Sequence, residues 1–203
     1  MTYEFSNDWF RVARKNWDDI FGQLKPSRVL EIGSFEGAST CYLIEKVGTE
    51  KALELYCVDT WEGGEEHGYE NMDSVEKRFD KNVAIAMSKV SHEVTFHKLK
   101  SFSDEALASL LVDGKQGYFD FIYVDGSHRA PDVLCDAVLS FRLLRVGGVI
   151  AFDDYLWIDQ TRHEIDPISA PKIAIDAFTN IYSRKLRIIR APLYQLYIQK
   201  QAD

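Results

Sequence analysis

The chain has 203 residues, of which 46% are hydrophobic and 28% are charged, and its formal charge at pH 7 is −8. This composition is typical of one globular domain, and an acidic surface repels nucleic-acid phosphates, so a nucleic-acid substrate is not expected. No window is apolar enough for a membrane span, no signal peptide is evident, and the three cysteines are expected to be reduced thiols. Together these features predict a cytoplasmic protein.

The predicted elements alternate between helices and strands. A helical pattern with an aromatic stripe over residues 8–24 predicts a cap, residues 1–25, within a single domain whose core spans 26–203. Near-continuous apolar runs, typical of strands buried on both faces, lie at 28–32, 53–58, 119–124 and 149–152, and a weaker strand pattern lies at 94–99. Helices are expected at 38–47, 74–87, 103–111 and 131–144, the last of them stopped by Gly147-Gly148.

The C-terminal residues break this alternation. Residues 186–190 and 193–199 have strand-like patterns on either side of Ala191-Pro192, which predicts an antiparallel hairpin at the edge of the sheet. The whole pattern predicts an α/β, Rossmann-like three-layer sandwich with a mostly parallel seven-stranded sheet. The edge of the hairpin leaves formation of a homodimer open.

Glycines and carboxylates stand at the carboxyl ends of the predicted strands, where open α/β sheets bind ligands. The first strand runs into a loop of the pattern E-x-G-x-x-x-G-x-S, formed by Glu31, Gly33, Gly37 and Ser39. The glycines allow a ligand to approach the backbone closely, although a plain strand-to-helix turn also explains them. The loop lacks G-x-G-x-x-G, which disfavours a dinucleotide-dependent dehydrogenase.

Further carboxylates end the other predicted strands. Asp59 ends the second strand, where a carboxylate accepts hydrogen bonds from ribose hydroxyls, although a lone aspartate there more often caps a turn. Beside the glycine loop, a nucleoside site is the favoured interpretation. Asp125, Asp153 and Asp154 end the fourth and fifth strands, and three converging carboxylates repel one another unless a cation such as Mg²⁺ intervenes.

Four segments in this order carry a family resemblance: VLEIGSFEGAST, YCVDTWEGGEEH, FDFIYVDGSH and GGVIAFDDY. Together they resemble the class I S-adenosylmethionine-dependent methyltransferases, and most of all the small-molecule O-methyltransferases of methyltransferase family 24. The resemblance implies S-adenosylmethionine as cofactor, although Lys100 replaces the glycine usual in the third motif. The implied cofactor contacts are Glu31, Gly33, Ser34, Phe35, Gly37, Ser39, Asp59, Trp61, Ser101, Phe102 and Asp125.

The resemblance also implies a metal and a base. In related metal-dependent O-methyltransferases, one acidic residue after the fourth strand and two after the fifth bind the ion, and Asp125, Asp153 and Asp154 match them. The implied Mg²⁺ binds two oxygens of a small-molecule acceptor and lowers the pKa of its attacking hydroxyl. His128 stands at an offset comparable to that of a lysine base in those enzymes, so His128 and Asp125 are the predicted catalytic residues.

Two other interpretations remain open at this point. One is a metal-independent methyltransferase with His128 as base, in which Asp153 and Asp154 cap a turn and Asp125 orients the amino group of the cofactor. The other is a non-catalytic nucleotide-binding protein of the same fold. The glycine-rich loop at residues 62–72 is expected either to close over the site or to be a solvated loop.

Overall fold

The computed structural model describes residues 2–63, 71–158 and 166–203. The chain divides into two compact units, Met1–Phe102 and Ser103–Asp203, which are described in turn. The predicted cap lies within the first unit, and the prediction of a single domain stays a prediction. Within the described ranges, no helix combines the length and the apolar character that crossing a membrane requires.

The first unit contains three parallel strands in the order β3-β2-β1. Its elements are β1 (Arg28–Ile32), β2 (Leu53–Asp59), β3 (Val94–Lys100), α1 (Arg14–Leu24), α2 (Ala38–Gly48) and α3 (Met72–Lys89). Ile32 pairs with Val58, and Asp59 pairs with Lys100, so the three strands end at nearly the same level. The residues that follow each strand therefore meet at one edge, as the sequence predicts.

The aromatic stripe near the N-terminus packs mainly into the core. The helix predicted over residues 8–24 is divided into a 3-10 turn, Trp9–Val12, and α1. Trp17 is fully buried, and its ring centre lies 4.7 Å from that of Phe10 in an edge-to-face contact. Trp9 is the exception, since it is 66% exposed.

The second unit contains four strands in the order β4-β5-β7-β6. Its elements are β4 (Phe119–Val124), β5 (Leu144–Phe152), β6 (Leu186–Ile189), β7 (Leu196–Lys200), α4 (Ser103–Val112), α5 (Ala130–Leu143) and α6 (Lys172–Ile181). Strands β4 and β5 are parallel, whereas β7 is antiparallel to both β5 and β6. The predicted terminal antiparallel hairpin is therefore confirmed.

The junction between α5 and β5 differs from the prediction. Gly147 and Gly148 do not stop the helix, because α5 ends at Leu143 and both glycines lie inside β5. A Cβ atom on Gly148 would lie 2.9 Å from the backbone oxygen of Asp120 in β4. The glycine thus permits a close approach of two strands, a role that the sequence does not distinguish from a helix stop.

Helix α6 lies in a segment for which the sequence predicts no element. It is short, and its stability depends on tertiary packing more than on helix propensity. Phe178 is fully buried, with its ring centre 5.7 Å from that of Phe141 and 5.8 Å from that of Phe152. These contacts come from α5 and β5, and the buried residues Ala174, Ile175 and Phe178 recur at helical spacing, so the segment does carry a local signal of an amphipathic helix.

Asp136 is a buried carboxyl group in α5, only 1% exposed. Burial, with a smaller contribution from the charges of Asp132 and Asp104, raises the pKa of Asp136 to about 7. The unfolded chain ionises this group near pH 4. Asp136 therefore removes stability progressively as the pH rises from about 4 to about 7, and the full cost is present above that range.

Replacing Asp136 with asparagine is expected to increase the free energy of unfolding at pH 8 by roughly 2–4 kcal/mol, because the amide has no charge to bury. At pH 4.5 the gain should be much smaller. Urea unfolding at the two pH values measures the difference. Asp113→Asn, at an exposed position directly after α4, is the matched control, and an equal pH response in both variants would contradict the assignment.

Candidate active site

The loop between β1 and α2 has an unusual backbone. Gly33, Phe35 and Gly37 all adopt left-handed conformations, with φ of 82°, 48° and 81°. Gly37 donates its N–H to the Ser34 carbonyl at 2.7 Å and is the N-cap of α2. A Cβ on Gly37 would also lie 3.0 Å from the Phe79 ring. Both the dihedral angle and the close contact therefore require glycine at this position.

Glu31 is hydrogen-bonded to this loop from the interior of the protein. Its side chain is fully buried, and burial raises the pKa of its carboxyl group. The carboxylate accepts hydrogen bonds from side chains that surround it: Ser34 at 2.8 Å, Ser39 at 2.5 Å, Thr40, and the Cys57 thiol at 3.3 Å. The predicted site residues Glu31 and Ser39 thus bond to each other inside the protein, and Thr40 and Cys57 are partners that the motif did not identify.

Asp59 joins the end of β2 to the same loop. Its Oδ2 accepts hydrogen bonds from the backbone N–H groups of Ser34 at 2.8 Å and Phe35 at 2.9 Å. Its Oδ1 accepts the N–H of Trp61 at 2.7 Å. A carboxylate oxygen has two lone pairs, so Oδ1 retains the capacity to accept a further hydroxyl. Asp59 therefore serves the turn and keeps an acceptor suited to a ribose.

Trp61 completes the loop and is itself strained. Its φ is 49°, and its indole N–H donates to the Phe35 carbonyl at 3.0 Å. The ring packs against Phe79, with ring centres 4.8 Å apart, and lies 4.5 Å from Lys98 Nζ in a cation–π contact. Left-handed backbone at a non-glycine residue costs about 1–3 kcal/mol and is concentrated at functional sites. Phe35 and Trp61 both fit that pattern.

Ser101 and Phe102 follow β3 beside Asp59. The Ser101 N–H donates to the Asp59 carbonyl at 3.1 Å, which places both residues at the shared strand edge. Phe102 is 59% exposed, so its ring has a face available for stacking. Lys100, which replaces the glycine usual in the third motif, forms an ion pair with Glu76 at 2.6 Å. The predicted adenine-side residues are therefore close to the loop.

In the second unit, Tyr123 joins two of the predicted metal-ligating aspartates. Its buried hydroxyl lies 2.8 Å from Asp125 Oδ2 and is also in hydrogen-bond contact with Asp153, which accepts from Gln195 Nε2 at 2.9 Å. Burial and the nearby charge of Asp154 raise the pKa of Asp153. The Tyr123 hydroxyl is thus a donor that the Asp125 and Asp153 carboxyl groups share.

His128 and Asp154 form a second pair. The distance between His128 Nε2 and Asp154 Oδ2 is 2.8 Å, and the imidazole stacks on Trp157 with ring centres 4.1 Å apart. Asp154 has a φ of 51°, and its side chain is 38% exposed. The predicted base is thus held by a carboxylate and an aromatic ring. Trp157 and Gln195 had no signal in the sequence, because only the fold brings them to these residues.

The aspartates do not form a ligand cluster in the arrangement described here. Across the described parts of the chain, no group of three or more His, Cys, Asp and Glu side chains converges as a metal site requires. Asp125, Asp153, Asp154 and His128 line a cavity of about 10 Å³, enough for about one water. Magnesium binding stays a prediction. In the predicted loop at 62–72, residues 64–70 fall outside the described residues.

Comparisons with known proteins agree with these motifs. A family model described as a methyltransferase domain matches residues 30–155. The chain is 25% identical to a caffeoyl-CoA O-methyltransferase of Populus kitakamiensis over 81% of its own length and 64% of that protein. Among the curated relatives that it matches, the chain spans 58% of one and 26% of another.

Solved structures are similar over almost the whole chain. The crystal structure of a putative O-methyltransferase from Klebsiella pneumoniae superposes with a TM-score of 0.64 at 15% identity, covering 98% of this chain and 84% of that one. The O-methyltransferase TomG of Streptomyces achromogenes, in complex with SAM, gives 0.63 at 19% identity and covers 93% and 79%. This likeness confirms the predicted α/β, Rossmann-like fold.

The hydrogen bonds of Asp59 yield a prediction about the loop. In Asp59→Asn, one acceptor oxygen becomes an NH₂ group that faces a backbone N–H, so one bond is lost and two donors oppose each other. We expect the free energy of unfolding to fall by about 1–3 kcal/mol in urea. Asp73→Asn, at an exposed position of α3, is the control. Equal stability of the two variants would show that Asp59 does not hold the loop.

Proposed function

The chain belongs to the methyltransferase-domain family whose model covers residues 30–155, and we propose that it is an S-adenosylmethionine-dependent O-methyltransferase acting on a small hydroxylated molecule. One observation carries the proposal most directly. The left-handed loop is held by Asp59 at the strand edge where Phe102 exposes its ring. That edge is where α/β sheets of this kind bind nucleoside-containing ligands.

The residues at this edge fit the cofactor. Asp59 Oδ1 has acceptor capacity for a ribose hydroxyl, and the exposed ring of Phe102 is suited to stacking on adenine. The loop backbone at Ser34 and Phe35 is proposed to lie against the methionine portion. S-adenosylmethionine supplies a methyl group already activated on a sulfonium sulfur. What the chain must add is therefore chiefly binding and orientation.

The second unit is proposed to handle the acceptor. The Asp154 carboxylate is the partly exposed member of its pair with His128, so the acceptor hydroxyl is proposed to donate to Asp154. The His128 ring, bonded through Nε2, shares the proton as the oxygen takes the methyl group. Asp125 and His128 stay the predicted catalytic residues. The acidic composition and the names of the related enzymes support a small-molecule acceptor.

Cofactor binding is directly measurable. We expect S-adenosylhomocysteine, at a concentration of 100 times its dissociation constant, to stabilise the protein by about 2.7 kcal/mol and so to raise its Tm. Phe102→Ala should weaken binding in calorimetry, whereas Val112→Ala, at a highly exposed position, should not. Binding of NAD in place of S-adenosylhomocysteine would contradict the proposal. Binding without methyl transfer to any of a panel of phenols and diols would favour the non-catalytic alternative.

The resemblance and the described hydrogen bonds lead to opposite expectations about whether magnesium binds at the aspartates. The resemblance predicts Mg²⁺ at Asp125, Asp153 and Asp154. The described hydrogen bonds engage these carboxyl groups with protein donors instead, so in this arrangement they do not fit the ion. No step of the proposed mechanism therefore passes through a metal.

On the basis of these hydrogen bonds, we expect methyl transfer to persist after treatment with EDTA. Asp153→Asn should retain activity because its amide oxygen still accepts from Tyr123 and Gln195, whereas Asp154→Asn should lose most activity. Initial rates with and without EDTA and Mg²⁺ measure both effects. Loss of activity in EDTA, its recovery with Mg²⁺, and inactivity of both variants would establish Asp153 and Asp154 as metal ligands and overturn the metal-free expectation.

A further inference from the structure

The segment of residues 4–9, here called the strap, is bound along the first unit beside the glycine loop. Asn82 of α3 bonds to both backbone groups of Glu4: its Oδ1 accepts the Glu4 N–H at 2.8 Å, and its Nδ2 donates to the Glu4 carbonyl at 2.9 Å. The Ser6 N–H donates to Glu36 Oε2 at 2.6 Å. The strap is thus held by specific hydrogen bonds to α3 and to the loop.

Glu36 is the loop residue at the centre of these contacts. Its side chain is only 2% exposed and lies between Phe35 and Gly37, which both have left-handed backbone. Glu36 Oε1 accepts from the Arg78 guanidinium, while Oε2 accepts from the strap. The Glu36 carbonyl also accepts from Asn82 Nδ2 at 2.9 Å. One buried carboxylate therefore connects α3, the strap and the strained loop.

The strap has a second contact with the loop. The ring of Trp9 lies against that of Phe35, with ring centres 5.6 Å apart and planes inclined by 32°. A tryptophan as exposed as Trp9 gains little from burial at this position. Two strap residues, Ser6 and Trp9, therefore contact two consecutive residues of the loop, which are Glu36 and Phe35.

We propose that Glu36 is a positioning residue that couples docking of the strap to binding of the cofactor. The inference rests on the proposed function, in which Phe35 lies against S-adenosylmethionine. A loop shape that favours the cofactor also presents Glu36 to Ser6, so each event stabilises the other. Such coupling is reciprocal: the cofactor protects the strap by the same factor with which the docked strap strengthens cofactor binding.

Glu36→Gln tests this coupling, with Glu45→Gln as the matched control. Glu45 also anchors the N-terminal residues, since it accepts from the Tyr3 hydroxyl at 2.8 Å, but it makes no described bond to the loop. We expect Glu36→Gln to raise the dissociation constant of S-adenosylhomocysteine about fivefold or more in calorimetry. The kcat at saturating cofactor should change far less than KM, and Glu45→Gln should match the unsubstituted protein in both.

A pair of substitutions at the exposed Ser6 serves if Glu36→Gln does not fold. Ser6→Pro removes the N–H that Glu36 accepts, whereas Ser6→Ala keeps it. Hydrogen exchange of residues 4–9, with and without S-adenosylhomocysteine, should show protection by the ligand in the unsubstituted protein and in Ser6→Ala, and little in Ser6→Pro. Cofactor affinity should follow the same order.

The outcomes separate this inference from the function on which it rests. No binding of S-adenosylhomocysteine by the unsubstituted protein overturns the proposed function. Normal binding there, together with unchanged affinity and unchanged strap protection in Ser6→Pro and in any folded Glu36→Gln, overturns the coupling alone. Weakened binding in Ser6→Pro with normal binding in Ser6→Ala establishes it.

Discussion

The contact on which the first unit's site depends is the hydrogen bonding of the Asp59 carboxylate to two consecutive backbone N–H groups of the neighbouring loop. Parallel strands bring the end of β2 beside the end of β1, so this contact follows from the sheet. It holds Phe35 in a conformation that is costly for a non-glycine residue. The fold therefore balances local strain with a hydrogen bond to a charged group, which is stronger than one between neutral groups.

Two buried carboxylates, those of Glu31 and Glu36, also shape the loop, and each does so through different partners. Glu31 gathers hydroxyl groups beneath it, so its desolvation is offset by donors inside the protein. Glu36 reaches in another direction, to Arg78 and the strap. Only Asp59 is partly exposed and keeps acceptor capacity for a ligand. Glu31, Glu36 and Asp59 thus all shape the loop, and of these three Asp59 also keeps an acceptor for a ligand.

Much of this arrangement was predictable from the sequence, because strand order and strand ends follow from apolar runs and glycine positions. The β4 run of six buried residues and the terminal hairpin appear where the pattern placed them. The role of Gly148 was not predictable, since a close approach of two strands leaves no local signal. Partners such as Trp157 and Gln195 are distant in sequence from His128 and Asp153, and only the fold brings them together.

The three aspartates of the second unit, Asp125, Asp153 and Asp154, can be explained either by a bound cation or by hydrogen bonds to protein groups. Three carboxylates at strand ends suggest a cation because like charges repel. The fold offers another solution: the Tyr123 hydroxyl lies between two of them, burial and the charge of Asp154 raise the pKa of Asp153, and His128 is hydrogen-bonded to the third. Proton sharing of this kind relieves repulsion without an ion, and Asp154, held with a left-handed backbone, is the partly exposed carboxylate of its pair with His128. Composition at strand ends thus indicates where a ligand site is expected, whereas the hydrogen-bond donors around each carboxyl group determine whether that group is free to bind an ion.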